Sequence, residues 1–213
     1  MKEGARGQVT ARPARMTDEK LLSQARGGDE RAFMVLYERH RLPVFRFAYR
    51  MLNSAAVAEE VTHDCFLDLI RRPEGFDPTR AALRTYLFAA ARNLSAKHFR
   101  RHACEESYEE AAAELAGADD DGPLQRVLRA EAAGAVRRAV SELPPAQREV
   151  VVLFEYEGLS LAEVAAVTGS DAGAVKSRLH RARVRLRREL APFFEDGARR
   201  AEKAGSRAEE AYR

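Results

Sequence analysis

Apolar residues return every third or fourth position along most of this chain, and no stretch sustains an alternation of period two. That pattern argues against a sheet and calls for helices, each burying one stripe. Val57, Val61, Cys65 and Leu69 form one such stripe, and Leu83, Leu87, Ala90 and Leu94 a second. Leu128, Ala132, Val136, Val140 and Leu143 form a third. Alanine, leucine, arginine and glutamate, all strong helix formers, dominate the residue supply. The predicted fold class is all-α.

Punctuation divides the chain. Gly27-Gly28-Asp29 reads as a helix stop followed by a cap, and Pro43 suits the first turn of the next helix. Asn53-Ser54 marks another boundary, and residues 73–78, Pro-Glu-Gly-Phe-Asp-Pro, read as a loop. Between Ala103 and Gln125 stand Glu105, Glu106, Glu109, Glu110, Glu114, Asp119, Asp120 and Asp121, with no Lys or Arg. Such a segment cannot bury a core and reads as a linker. The expected organisation is a disordered tail over residues 1–16, a helical domain over 17–103, an acidic linker over 104–125, a second helical domain over 126–191 and a charged tail over 192–213. A chain of 213 residues suffices for two small domains, each with a modest core.

Several function classes drop out early. The first sixteen residues carry Lys2, Arg6, Arg12 and Arg15 without an apolar run, so they do not read as a secretory signal. No stretch approaches the roughly 18 apolar residues of a membrane span, so no membrane insertion is expected. Cys65 and Cys104 are too few for a disulfide framework and suit a reducing cytoplasm. There is no glycine-rich phosphate loop, nucleophile elbow or paired acid/base motif, so neither catalytic residues nor a cofactor are expected. His98 and His102 lie four apart with Cys104 close by, but a zinc site needs a fourth ligand or an open position served by a base. The histidines are assigned to a basic surface instead, and no metal is expected.

The most specific local signal runs from Ser160 to Leu190. Ser160-Leu161-Ala162-Glu163 is a capping box that opens a short helix carrying Val164 and Ala165, and Gly169 ends it. Ser170 or Asp171 can cap the next helix, which sets Val175, Leu179, Ala182, Leu186 and Leu190 on one side. A small residue at the crossing, a glycine in the turn and an apolar anchor at Val175 are what a helix-turn-helix requires. The opposite face holds Lys176, Arg178, Arg181, Arg183, Arg185, Arg187 and Arg188, with His180 among them and Glu189 as the one acid. A rod of this kind can enter a major groove, meeting base edges with its first turns and phosphates with its later arginines.

A second basic stretch lies in the first domain. Arg84, Arg92, Lys97, Arg100 and Arg101, with His98 and His102, occur without an acid, and Tyr86, Phe88 and Phe99 are interleaved, with Phe76 just before. Cations beside aromatic faces suit unstacked single-stranded DNA. Aromatics at helical spacing also commonly belong to a core.

These residues resemble a known family. Ala89-Ala90-Ala91-Arg92-Asn93-Leu94 with His98-Phe99-Arg100-Arg101, and the preceding Ala58–Leu67, resemble region 2 of extracytoplasmic-function (ECF) sigma factors of the sigma-70 family. Leu143–Val150 resembles the opening of region 4, and Ala174–Arg183 its recognition helix. The resemblance spans about Asp29 to Leu190 in the family's order. It implies a sigma factor that binds core RNA polymerase, through the β′ clamp coiled coil and the β flap, and directs it to promoter DNA. Glu60, His63, Asp64 and Leu67 would grip the clamp. Tyr86, Arg92, Asn93, Lys97, Arg100 and Arg101, with the loop from Gly75 to Thr85, would hold the melted −10 element. Lys176, Ser177, Arg178, His180, Arg181, Arg183 and Arg185 would read the −35 duplex. The acidic linker would pass near the active-site and RNA-exit channels, and an anti-sigma factor is an implied partner. The family commonly has Trp where Tyr86 stands, an acid where Lys97 stands and Thr where Ala174 stands. A stand-alone helix-turn-helix regulator is the alternative; it would bind duplex DNA without polymerase, commonly as a dimer on a palindrome. A polymerase-binding decoy that no longer opens promoters is a further alternative.

Overall fold

A computed structural model describes residues 16–72, 75–102 and 123–210 of the chain. Thr17 caps α1 (Asp18–Arg26), its Oγ1 accepting from the Lys20 amide, and acids in the first turn with Arg26 in the last complement the helix dipole. Gly28 turns the chain at φ 93°, and Asp29 caps α2 (Glu30–Leu52), accepting from the Arg31 and Ala32 amides at 2.9 and 3.2 Å. Asn53, in the left-handed region at φ 55°, ends α2, and Ser54 caps α3 (Ala55–Arg71). A short loop holding Phe76 leads into α4 (Leu83–His102).

Pro43 does not open a helix. The Asp29 cap starts α2 well before it, and the proline lies in the helix interior. Interior proline costs about 3 kcal/mol in a helix. Burial of Leu36, Val44, Phe47 and Met51 on the same helix outweighs that, at about 1.5–3 kcal/mol for each large apolar side chain. Phe47 meets Phe88 of α4 edge to face at 5.7 Å, and ten residues earlier on α2 Tyr37 meets Phe66 of α3 at 4.9 Å, so α2 is joined to each of two neighbours by its own aromatic pair.

The second half begins with α5 (Pro123–Ser141), two residues earlier than the expected linker end, with proline at its first position. Residues 1–15 and 103–122, expected as tail and linker, lie outside the described residues. After Pro144 come α6 (Pro145–Val151) and a π-helical turn (Val152–Tyr156), in which the Glu157 amide donates to the Val152 carbonyl at 3.0 Å. Gly158, at φ 66°, reverses the chain into α7 (Leu161–Thr168), and α8 (Ala172–Glu210) completes the fold. The stretch from Pro192, expected as a tail, continues α8 as helix to Glu210; its alanine-, arginine- and glutamate-rich sequence favours that state.

The two halves do not bury separate cores. Helix α4 packs on α7, and α2 touches α5, α6 and the π turn. The buried residues from Leu21 to Ala182 form one continuous cluster. Among the described residues every regular element is helical, four helices on each side of the acidic segment.

Candidate nucleic-acid interface

Residues 160–190 form the helix-turn-helix. Ser160 Oγ accepts from the Glu163 amide while the Glu163 carboxylate accepts from the Ser160 amide at 2.8 Å, closing both ends of the capping box. Gly169 ends α7 at φ 62°, a backbone state that costs an L-residue about 1–2 kcal/mol. Asp171 is the cap of α8, accepting from the Ala174 amide at 2.8 Å. Ser170 takes a different role, its Oγ accepting from Arg178 Nη1 at 2.8 Å.

From there α8 sorts its faces as its period demands. Val175, Leu179 and Ala182 are buried, and Leu186 and Leu190 are half-buried. Lys176, Ser177, His180 and Arg181 are exposed on the first turns. Arg178 is half-buried and tied back to the turn by Ser170. Arg183 is exposed but held by Glu155, with Nε and Nη2 donating to Oε1 at 3.0 and 2.6 Å, and lies 5.6 Å from the Phe154 ring centre. Arg185 is half-buried. Lys176, Ser177 and His180 thus stand exposed on the outer face, Arg181 lies there with its Nε donating to the Ser177 carbonyl at 3.3 Å, and Arg178 and Arg183 brace the helix as well.

The first domain divides its expected residues differently. Asn93, Lys97 and Arg100 are exposed on α4; the Arg101 side chain lies outside those described. Phe88 and Phe76 are buried in the core, so the structural reading holds for those two aromatics, while Phe99 is 37% exposed. Tyr86 packs against Phe76 at 5.3 Å, and burial pushes its phenol above the usual range. A Cβ at Gly75 would stand 3.1 Å from the Tyr86 hydroxyl, so a side chain there would crowd the ring. Arg92 does not face solvent alone: its Nε donates to Glu149 of α6, and its Nη1 approaches Asn93 Oδ1 at 3.4 Å. On α3, Glu60 and His63 are exposed and Asp64 and Leu67 half-buried, which gives the expected polymerase-binding group one common outward surface.

The seam between the halves holds residues that sequence reasoning did not single out. Arg84 donates to the Glu157 carbonyl, and Arg50 lies 3.5 Å from the Glu157 carboxylate and 4.3 Å from the Tyr156 ring centre. Arg148 Nη1 donates to the Met51 carbonyl at 2.8 Å. Burial pushes the Glu149 and Glu157 carboxyls upward even though arginines pull the other way. The available signal was Glu149 directly before the apolar run from Val150 to Phe154; Glu155 closes that run and pairs with Arg183, and Glu157 lies two residues beyond it.

Among the described residues no three His, Cys, Asp or Glu side chains gather in one place. His98 is buried with Nε2 3.9 Å from Glu60, while the His102 side chain and Cys104 lie outside the described set. Burial pushes the Cys65 thiol up to about 12, which makes it a poor nucleophile.

This geometry defines a helix-turn-helix protein with a second, cationic helical domain. Residues 36–104 match the family model for sigma-70 region 2, and residues 133–186 that for sigma-70 region 4. The ECF RNA polymerase sigma factor BldN of Streptomyces coelicolor is 35% identical over 88% of this chain and 71% of its own length. The ECF RNA polymerase sigma factor SigW of Bacillus subtilis is 28% identical over 82% of this chain and 97% of its own. A solved structure of CnrH in complex with the cytosolic domain of CnrY superposes with a TM-score of 0.60 and 27% identity, covering 82% of this chain and 97% of CnrH. The chain belongs to the ECF RNA polymerase sigma factors. Promoter recognition together with polymerase is therefore its function, and the stand-alone regulator is set aside.

Proposed function

We propose that the chain reads promoters through two separate surfaces. Lys176, Ser177, His180 and Arg181 meet the −35 element as duplex, with Arg178, Arg183 and Arg185 fixing the rod and neutralising phosphates. Tyr86, Asn93, Lys97, Arg100 and Arg101, joined by Arg92, hold the separated strand of the −10 element. Glu60, His63, Asp64 and Leu67 dock on the β′ clamp coiled coil, and the second domain meets the β flap. The observation that carries this reading is the sorting on α8, whose apolar anchors face inward while its first turns project cations outward.

No bond chemistry by the chain itself enters the reading. Extruding a base costs a few kcal/mol, least at flexible TA-type steps, and stacking and charge contacts made only to the open strand offset it. Each surface alone binds weakly; tethering both to one polymerase raises their effective concentration. The chain acts in the cytoplasm, where RNA polymerase works, and no helix among the described residues is long and apolar enough to cross a membrane. An anti-sigma factor is its further partner, supported by the second protein held on the related CnrH.

The test is transcription in vitro with core polymerase on a library of genomic fragments, with start sites mapped. A shared pair of upstream elements at the mapped starts is the expected result. Failure to associate with core polymerase, or to direct initiation anywhere, refutes it.

A further inference from the structure

A cavity opens between α1 and the loop that leads into α4. It measures about 220 Å³ and is lined by Glu19, Leu22, Ser23 and Arg26 of α1 and by Phe76 and Pro78 of the loop. The four α1 residues fall at i, i+3, i+4 and i+7, so one face of that helix supplies a whole wall. Leu22 and Phe76 are buried and form an apolar floor, while Glu19, Ser23, Arg26 and Pro78 are exposed at the rim. The match to sigma-70 region 2 begins at residue 36, so the α1 wall lies ahead of the residues that the family model covers.

Both walls are fixed in place. Asp18 accepts from Arg39 and lies 2.8 Å from His40 Nε2, and Arg39 Nη1 donates to the Met16 carbonyl at 3.1 Å, which ties the start of α1 to α2. In the loop, Asp77 Oδ1 accepts from the Thr79 amide and hydroxyl at 2.9 and 2.7 Å. The Arg80 amide donates to the Asp77 carbonyl at 3.2 Å, closing a turn that includes Pro78. Phe76 packs against Tyr86 at 5.3 Å, so a strand held at Tyr86 has its next base within reach of the cavity.

The cavity is smaller than the roughly 300–1,000 Å³ of a site for a drug-sized ligand, which suits a single nucleobase. Its floor offers an apolar face to a flat ring. Glu19 and Arg26 stand seven residues apart, roughly 10 Å along the helix axis, which leaves room for a ring system between their side chains. Guanine answers both groups at once. Its N1–H and N2–H₂ are adjacent donors for a carboxylate, and its O6 and N7 are adjacent acceptors for a guanidinium. Adenine would set its N1 acceptor against the carboxylate, and thymine presents one donor between two acceptors.

We propose that this cavity takes an unstacked guanine of the melted promoter strand, beside the −10 element, with Glu19 reading N1–H and N2–H₂ and Arg26 reading O6 and N7. The inference rests on the promoter-reading function for the identity of the strand, and it adds Glu19 and Arg26 as specificity-determining residues on a helix outside the expected DNA-binding set.

The experiment uses holoenzyme formed from the full chain and core polymerase. Short single-stranded DNA is selected from a randomised pool, and bound and unbound strands are sequenced. The native chain is expected to enrich a motif in which guanine at one position is favoured at least about fivefold over each other base. Glu19→Ala and Arg26→Ala are each expected to bring that ratio below about twofold while the rest of the motif persists. Replacing the guanine by inosine, which lacks the N2 amine, should weaken binding by the native chain more than by Glu19→Ala, a difference that a purely structural role for Glu19 would not produce. Circular dichroism confirms the helix content of each protein. A motif without a favoured guanine overturns the proposal, and so does a guanine preference that survives both substitutions. Absence of any motif would sink the promoter-reading function itself, whereas a motif lacking only the guanine sinks the cavity's role alone.

Discussion

Arg92 of α4 and Glu149 of α6, fifty-seven positions apart, form an ion pair whose carboxylate is buried and whose guanidinium is only partly so. The pair joins the cationic helix of the first domain to the helix that precedes the π turn. Because Glu149 keeps little solvent, removing its partner leaves a poorly solvated charge. Arg92→Ala is expected to lower stability by about 1–3 kcal/mol, reduced from the fully buried case because Arg92 is partly solvated. A double-mutant cycle with Glu149→Gln, followed by chemical denaturation, checks this. Strict additivity of the two single changes would show that the pair contributes nothing.

Arg181 is exposed on the first turns of α8, its Nε donating only to the Ser177 carbonyl of the same helix at 3.3 Å, whereas Arg183 is engaged by Glu155. Arg181→Ala is expected to weaken discrimination of the −35 element by about tenfold, in line with about 1–3 kcal/mol for a base-reading arginine, while core polymerase binding is unchanged. Arg183→Ala should cost less selectivity. Transcription from paired promoters with native and scrambled −35 elements measures both. A variant Arg181→Ala that bound polymerase poorly yet kept its promoter preference would contradict the assignment.

His40 is buried in α2, with Nε2 2.8 Å from Asp18 Oδ2. Burial holds its imidazole below the ordinary 6.5; the neighbouring Asp18 pulls upward without prevailing, and Arg39 and Arg84 add to the lowering. The unfolded chain therefore takes up the proton first as pH falls. The stabilisation from neutral His40 is complete above about 6.5 and is lost as pH drops through the lower folded value. Thermal melts at pH 7.5 and 5.5 should show a larger acid loss in the native chain than in His40→Gln. Equal losses would rule this linkage out.

Gly169 occupies the left-handed region with open space around its Cα. Gly169→Ala meets no neighbour, so its cost is conformational alone, about 1–2 kcal/mol. Ser160→Ala should cost about 1 kcal/mol by opening the capping box. The two sites flank α7, and denaturant midpoints of each variant give the values. A Gly169→Ala protein as stable as the native one would mean that the turn can relax out of its positive φ.

The elements built from local signals were readable in advance. Asn53-Ser54, the Ser160 box and the Gly169 stop each depend on interactions within four residues, and each stands where the sequence indicated. Pro43 was misplaced because a strong upstream cap and a long apolar face outweigh one missing donor. The outward Lys176, His180 and Arg181 followed from helical period, while Ser177 came only from the family resemblance. The seam did not, since pairing Arg92 with Glu149, or Arg50 with Glu157, depends on how two distant helices meet, and no spacing rule encodes that. The same limit explains why Phe88 and Arg92, neighbours in a basic and aromatic stretch, part company: one fills the core and the other reaches across to α6.

The turn at Val152–Tyr156 carries one residue more than an α-helix would need. In an ordinary helix each residue advances the side chain by about 100° around the axis. A version of this chain shortened by a single position there would swing Tyr156 and Glu157 off the arginines opposite, while Val150 and Val151 kept their places inside. The register of one wide turn thus sets whether Tyr156 and Glu157 add their grip to the contacts that Arg92 and Arg148 make between the halves.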